Sequence, residues 1–432
     1  MLARIALTAT TLAIALGGCY DPDLSGPGGF GCKKSQECPD GFTCVAGVCL
    51  REGQTGDQGT GEAPPDDGGG GDAGGLSCKV NNDERDISGA VINVGERFSF
   101  VVRGPARGVS FSEFTLSPWA NSLYVTVGAV TKSWATPKVV ATKAGDHSAF
   151  DFTKLAPSVE AIVLARTDAQ TTRLYVVNDK LVVSATVEVD PTSGTGEYPS
   201  IGPHAKSSSR WLAYQGGTDI KRCVFDSSTS TVPVACEAID RPGSIAKIGR
   251  PTSQGFSGNT HYLAYYTSDG ASAYRSAHDG TSWKHTWLFF AGSLQDVEIS
   301  LDLARDGSYI VWTAHPPTKP VAVFGWDFVP STLGKEVSAG SRPSLARTKT
   351  HEAVAYLDPS SNVMLRTRAI GSKTWSDAVA VYGGGYVSRV ILQEPALTVG
   401  PKPNEATWEL VYRRPAPLWA HLFHRTVTCT YR

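Results

Sequence analysis

The side chains most able to do chemistry in this sequence are its nine cysteines, and their spacing decides which chemistry that is. Cys32, Cys38, Cys44 and Cys49 follow one another as C-x5-C-x5-C-x4-C, while Cys78, Cys223, Cys236 and Cys429 are spread over the rest of the chain. The cluster lacks the paired C-x2-C knuckles of a structural zinc site and has no histidine between its members. With Cys19 set aside, eight cysteines remain, an even number that suits disulfides. His421 and His424 are three apart, and in a strand such positions point to opposite faces, so one metal ion cannot take both. Glu188 and Asp190 alternate with Val187 and Val189, the pattern of a solvated strand edge. No G-x-S-x-G turn, Walker loop or dinucleotide loop is present, so neither a metal nor a cofactor is expected.

The elements that carry these residues are read from the N-terminus onward. Arg4 precedes a charge-free stretch from Ile5 to Leu16, twelve residues long. A helix needs about 20 residues to span a bilayer core of about 30 Å, so this one is too short. It ends in Leu16-Gly17-Gly18-Cys19: an aliphatic residue, two small ones, then cysteine. That sequence resembles the lipobox of bacterial lipoproteins, where small residues admit the peptidase and the cysteine thiol carries lipid. The resemblance implies a signal peptide over 1–18 and lipidation of Cys19. It also implies a bacterial cell envelope location, with the outer membrane and its surface as the expected place. No other stretch is apolar for 18 residues, so lipid is the expected membrane contact.

Residues 19–31 read as anchor and spacer, and 32–50 as a mini-domain too small to bury a core without staples. Residues 51–77 read as a flexible linker. Within them, 53–75 hold ten glycines, five acids, two prolines and no base, which predicts a disordered coil spanning roughly 25–30 Å. Residues 1–77 hold 4 of the 40 Lys/Arg and 10 of the 41 Asp/Glu, so the near-neutral total hides an acidic N-terminus and a mildly basic remainder. No Lys/Arg run exceeds two, which argues against nucleic acid as a partner.

Residues 78–432 show short apolar runs, alternation and many turns, with no helical period. Five segments share a strand that ends in an aromatic, at Tyr214, Tyr265, Trp312, Tyr356 and Tyr412, on average 49.5 residues apart. Thirteen to seventeen residues earlier another short strand opens, at Pro199, Pro251, Ile299, Pro343 and Pro395. Two weaker units precede them, around Leu123–Val140 and Ala161–Val189. A four-stranded unit repeated every 40–50 residues predicts β-propeller blades. Over 355 residues that period predicts an all-β, seven-bladed ring. Cys223 and Cys236 would fall on the third and fourth strands of one blade, predicting a staple across a hairpin. Cys78 and Cys429 bracket the domain, and a bond between them would lock the ring.

Two family resemblances add to this. Residues 32–50 resemble the cysteine-rich modules that follow the anchor of many bacterial surface lipoproteins, with the pattern C…CPxGxxCxxGxC. The resemblance implies Cys32–Cys44 and Cys38–Cys49 pairing. Ser276-Ala-His278-Asp279-Gly280-Thr-Ser282-Trp283 resembles a degenerate Asp box of sialidase-like propellers, with the aspartate displaced by one and His278 in its slot. In that family the box is a structural turn, so it implies fold and not activity. The arginine motif of sialidase catalysis is not found, and Val102-Arg103-Gly-Pro105 echoes it poorly.

The expected function is therefore that of a lipid-anchored propeller that binds or scaffolds a protein or glycan, and not an enzyme. The alternatives are a glycan-processing hydrolase or lyase on the same fold, and a periplasmic envelope-assembly factor. Ligands of propellers meet the loops that precede the inner strands. Those loops hold Glu197, Tyr198, Lys247, Arg250, Glu298, Arg342 and Glu394, of which Arg250, Arg342 and Glu394 are the expected ligand face.

Overall fold

A computed structural model describes residues 42–45 and 48–51, and then 77–431 except 92, 114–120, 130–132, 156–157, 193, 207, 229–233, 242–247, 258, 268–271, 291–297, 304–309, 316–319, 325–334, 340, 349, 370–371, 373–374, 385, 394–404 and 417–418. The chain divides into two units, Met1–Gly69 and Gly70–Arg432. In the first, β1 (Phe42–Val45) and β2 (Val48–Arg51) form a hairpin in which Cys44 faces Cys49. Cys19, Cys32 and Cys38, the two pairings expected in the cluster, the signal peptide and the Gly-rich stretch lie outside the described residues.

The second unit is all-β, with no helix among the described residues and hence none long and apolar enough to cross a membrane. It begins with β3 (Ser77–Val80) and β4 (Arg85–Asp86). There follow β5 (Val94–Arg103), β6 (Ala106–Glu113), β7 (Asn121–Ala129), β8 (Lys138–Lys154), β9 (Glu160–Thr167), β10 (Thr172–Val177) and β11 (Val183–Asp190), paired in sequence as one seven-stranded sheet. Four-stranded antiparallel meanders come next. They are β12–β15 (Thr195–Pro203, Ser209–Gly216, Asp219–Asp226, Val234–Ala238) and β16–β19 (Ile248–Ser257, Thr260–Thr267, Ser272–His278, Trp283–Phe290). Then come β20–β23 (Glu298–Leu303, Ile310–His315, Pro320–Phe324, Lys335–Ala339) and β24–β27 (Ser341–Arg347, His351–Leu357, Val363–Ala369, Val379–Tyr382). Last, β28 (Arg389–Gln393), β29 (Glu405–Ala416) and β30 (Trp419–Thr430) are completed by β3 as a fourth strand, with β4 also paired to β30.

The seven-stranded sheet is two meanders joined without a break. The first half of β8 pairs with β7, and its second half, from Ala144 to Lys154, pairs with β9. The two weak units expected around Leu123–Val140 and Ala161–Val189 are thus corrected to β5–β8 and β8–β11. No turn interrupts Lys138–Lys154; instead a bulge between Ala144 and Ser148 redirects the strand. Each first strand packs against the next, β5 on β8, then β12, β16, β20, β24 and β28, and β28 packs against β5. These are β-propeller blades.

The recurring aromatics sit on second strands. Tyr214, Tyr265, Tyr356 and Tyr412 are fully buried, beside buried Leu212, Leu263, Val354 and Leu410. Burying each such side chain stabilises the fold by about 1.5–3 kcal/mol. A phenol hydroxyl taken out of water needs a partner. Tyr214 donates to Asp190 (3.1 Å), Tyr412 donates to Glu84 (2.5 Å), and Tyr265 bonds the His285 ring (3.1 Å).

The prolines read as strand openings lie inside β12, β16 and β24, each at a shift of register. These three first strands pair on one side only, so a residue without an N–H is tolerated there. In the last blade the correction is larger, because the first strand is Arg389–Gln393 and precedes Pro395. Val390 and Leu392 alternate into the core there.

Two disulfides hold the unit. Cys223–Cys236 crosses from the third to the fourth strand of its blade. Cys78–Cys429 joins directly opposed residues of β3 and β30, at a sequence separation of 351.

Candidate functional site

The first strands carry a repeated irregularity near their starting ends. Register with the second strand slips in β5 between Val94 and Phe98, in β8 between Ala144 and Ser148, in β12 between Glu197 and Ser200, in β16 around Pro251, and in β24 between Ser341 and Ser344. A bulge inserts a residue and re-aims its side chain. The residues held in these bulges include Arg97, Asp146, His147, Tyr198, Arg250 and Arg342. Tyr198 and Arg342 adopt φ of 49° and 52° immediately before proline, a strained conformation for side chains of this size. That strain recurs at one level of two blades, which marks it as a built feature.

Successive blades bring these groups together. The His147 ring meets the Tyr198 ring edge-on at 4.8 Å, and the Arg97 guanidinium lies 5.1 Å from the Tyr198 ring centre. His147 Nδ1 bonds Asp146 Oδ1 at 2.6 Å. Arg389, the first residue of β28, lies 5.8 Å over Phe98 and acts electrostatically on His147. Burial pushes the His147 imidazole below its ordinary value. The Asp146 bond opposes this, and the charges of Arg97 and Arg389 reinforce it. The Asp146 carboxyl is itself held low, chiefly by its bond to His147. A neutral imidazole donating Nδ1–H to a carboxylate satisfies both. The entry end thus gathers two guanidiniums, one carboxylate, a neutral imidazole and a phenol from the blades around β5, β8, β12 and β28. Such a set exchanges hydrogen bonds and stacks on a polar ligand.

The far ends of the same strands differ. Asp151 is 2% exposed and takes two bonds from Arg103 (2.9 and 2.6 Å) and one from Arg210 (2.9 Å), tying three successive blades. Burial works against its charge, but the two arginines outweigh it and the carboxyl is held low. Between the first and last blades, Glu409 accepts from Arg107 (3.1 Å) and bonds His424 (2.6 Å), all three buried. Between the β12–β15 and β16–β19 blades, Trp211 stacks on His261 at 4.5 Å, and Arg222 lies over both Trp211 (4.4 Å) and Trp283 (4.8 Å).

Of the residues expected at the ligand face, Arg342 lies half-buried in the β24 bulge. Arg250 lies in β16 at the matching bulge, its side chain outside the described residues. Glu394 and Lys247 lie outside the described residues, and Glu298 opens β20. The residue that opens the last first strand is Arg389. Glu197 pairs with Arg166. Arg97, Asp146, His147 and Arg389 were not predicted by the sequence. The available signal was the consecutive polar pairs Glu96-Arg97 and Asp146-His147, which interrupt otherwise alternating runs.

Other candidates resolve as structure. His421 bonds Asp86 (2.6 Å) while His424 faces the core, on opposite sides as the spacing predicts. Asp190 corrects the expectation of a solvated acidic edge. A register shift between Thr172 and Arg173 turns it inward, where it takes Tyr214 and Lys221 (2.6 Å), while Glu188 stays exposed. In the degenerate box, Asp279 accepts from Thr281 N (3.0 Å), Thr281 Oγ1 (2.7 Å) and Ser282 N (3.2 Å), and Gly280 takes φ of 101°. Asp226 makes the same kind of turn in the preceding blade, bonding Ser228 N (2.9 Å) and Oγ (2.7 Å). Among the described residues no group of His, Cys, Asp or Glu could hold a metal ion.

No family model matches the chain, and no curated protein matches it in sequence. Among solved structures, the WD40 domain of Toxoplasma gondii coronin is similar with a TM-score of 0.50 and 9% identity, covering 83% of this chain and 87% of that one. A fucose-specific lectin from Aleuria aurantia gives 0.45 and 12%, covering 70% and 98%. A subtype N11 neuraminidase-like protein of A/flat-faced bat/Peru/033/2010 (H18N11) gives 0.44 and 9%, covering 82% and 93%. The coronin likeness supports the class that the blades define, a β-propeller.

Proposed function

We propose that this chain is a lipid-anchored envelope protein whose seven-bladed propeller binds a protein or glycan at the bulged entry end of its first strands. The blade count rests on the run of first strands from β5 to β28, with β28 against β5, and on β3 completing the last blade. The observation that carries the ligand face is the convergence of Arg97, Asp146, His147 and Tyr198, each supplied by a bulge on a neighbouring first strand. Bulges weaken pairing, and here they bring polar groups of neighbouring first strands together instead. Arg342, half-buried at the matching β24 bulge, is read as a further part of this face. The reading is one of capture and not catalysis, because the imidazole nitrogen left after the Asp146 bond is buried in the protein.

The test is a printed glycan array probed with the mature chain and with Arg97→Ala/Tyr198→Ala/Arg389→Ala. Glycans bound by the parent are expected to be lost by the triple variant. Unchanged binding by the variant would move the site elsewhere. Anchoring is tested separately: Cys19→Ser is expected to abolish lipid labelling, and a variant still cleaved and membrane-bound would refute the anchor.

A further inference from the structure

We propose that His147 is an acid-operated latch of the entry end: neutral, it holds Tyr198 and Arg97 in place, and protonated, it leaves its seat and releases them. The geometry carries this. The ring lies in the β8 bulge against Tyr198 at 4.8 Å, and Tyr198 in turn lies under Arg97 at 5.1 Å. Nδ1 is committed to Asp146, while Nε2 is buried and has no hydrogen-bond partner among the described residues. A buried acceptor nitrogen is tolerable, whereas a second buried N–H with no acceptor is not.

Charge points the same way. The groups acting on His147 are Arg97 from β5, Arg389 from β28 and Asp146 from its own strand, two cations against one anion. Other charges on the packed elements are engaged. Glu113 of β6 accepts from Tyr124, Arg166 of β9 pairs with Glu197 of β12, and Lys143 of β8 pairs with Asp168. Burial and both guanidiniums disfavour the imidazolium, so the seated ring titrates below its ordinary 6.5. A depressed histidine contributes stability that is full above the unfolded value and is lost as pH falls toward the folded one. The latch is therefore shut at neutral pH and opens in mildly acidic surroundings. As control of ligand capture this rests on the reading of the entry end as the ligand face. Capture then weakens in acid, because Tyr198 and Arg97 are no longer pre-arranged.

Hydrogen exchange on the ligand-free mature chain tests the latch by itself, so its failure is distinct from failure of the ligand face. On passing from about pH 8 to about pH 5, amides of 144–148 and 196–200, corrected for intrinsic rates, are expected to lose protection several-fold more than those of 149–154. His147→Asn cannot titrate and is expected to remove the difference. Arg97→Gln removes one cation, makes the seated imidazolium less unfavourable, and is expected to shrink the loss of protection and move it to lower pH. A parent with no pH-dependent difference, an equal response in His147→Asn, or an unmoved transition in Arg97→Gln would each overturn the proposal.

Discussion

The two ends of the first strands are built from similar residues to opposite effect. At the far end Arg103 and Arg210 both pair with Asp151, with Asp151 2% and Arg210 11% exposed, and three blades are bolted together. At the entry end Arg97, Asp146, His147 and Tyr198 sit in bulges, and Asp146 is 55% exposed. A guanidinium sealed against a carboxylate orders its neighbours and is spent on the fold. One placed over a ring at a strained bulge keeps donors that a ligand can use. The difference teaches where to look for function in a ring whose blades otherwise repeat: at the end where the repeat is irregular.

The comparison is broken most severely by Asp151→Ala. Two guanidiniums would lose their shared carboxylate, and removing one member of a buried pair costs about 3–5 kcal/mol. Arg103 is 21% exposed, so the lower part of that range is expected. Urea unfolding measures it, and a loss below about 1 kcal/mol would mean that the far end does not bolt the ring.

Acid is expected to have a smaller, staged effect. His261 and His424 are both pushed below their ordinary values, mainly by burial. Their contribution is complete above about pH 6.5 and declines as pH falls. Asp151 and Glu409 are held low by their partners, so their contribution persists to lower pH and is lost only beneath the usual carboxylate range. Unfolding midpoints should therefore fall in two stages, and stability that rises between neutral pH and about pH 5 would contradict the histidine assignments. The smallest effect belongs to the entry end. Arg97→Ala/Tyr198→Ala/Arg389→Ala should change stability by about 1 kcal/mol or less, in contrast with Asp151→Ala.

Much of this architecture is legible in the chain. The aromatics at 214, 265, 356 and 412 mark second strands because each is a tyrosine buried on the second strand of its blade, with the hydroxyls of Tyr214, Tyr265 and Tyr412 bonded. The short strand opening at Pro343 and the strand ending in Tyr356 fall in β24 and β25. Cys223–Cys236 and Cys78–Cys429 follow from strand order and from the need to join the ends of a ring. The rest was hidden for physical reasons. A bulge has no fixed residue signature, so Asp190 looked like part of a solvated strand edge. Pro199 and Pro343 looked like strand openings because a pre-proline bulge inside a first strand uses the residue that usually precedes one. Pro395 misled for the converse reason, since β28 opens without a proline.

The most direct measurement is site-specific photocrosslinking in intact cells. A photoreactive phenylalanine replaces Tyr386, 80% exposed and three residues before β28 at the entry end, or Lys206, 72% exposed at the far end. Adducts from position 386 and none from 206 are the predicted result. Adducts from 206 with none from 386 would contradict the assignment of the entry end as the ligand face.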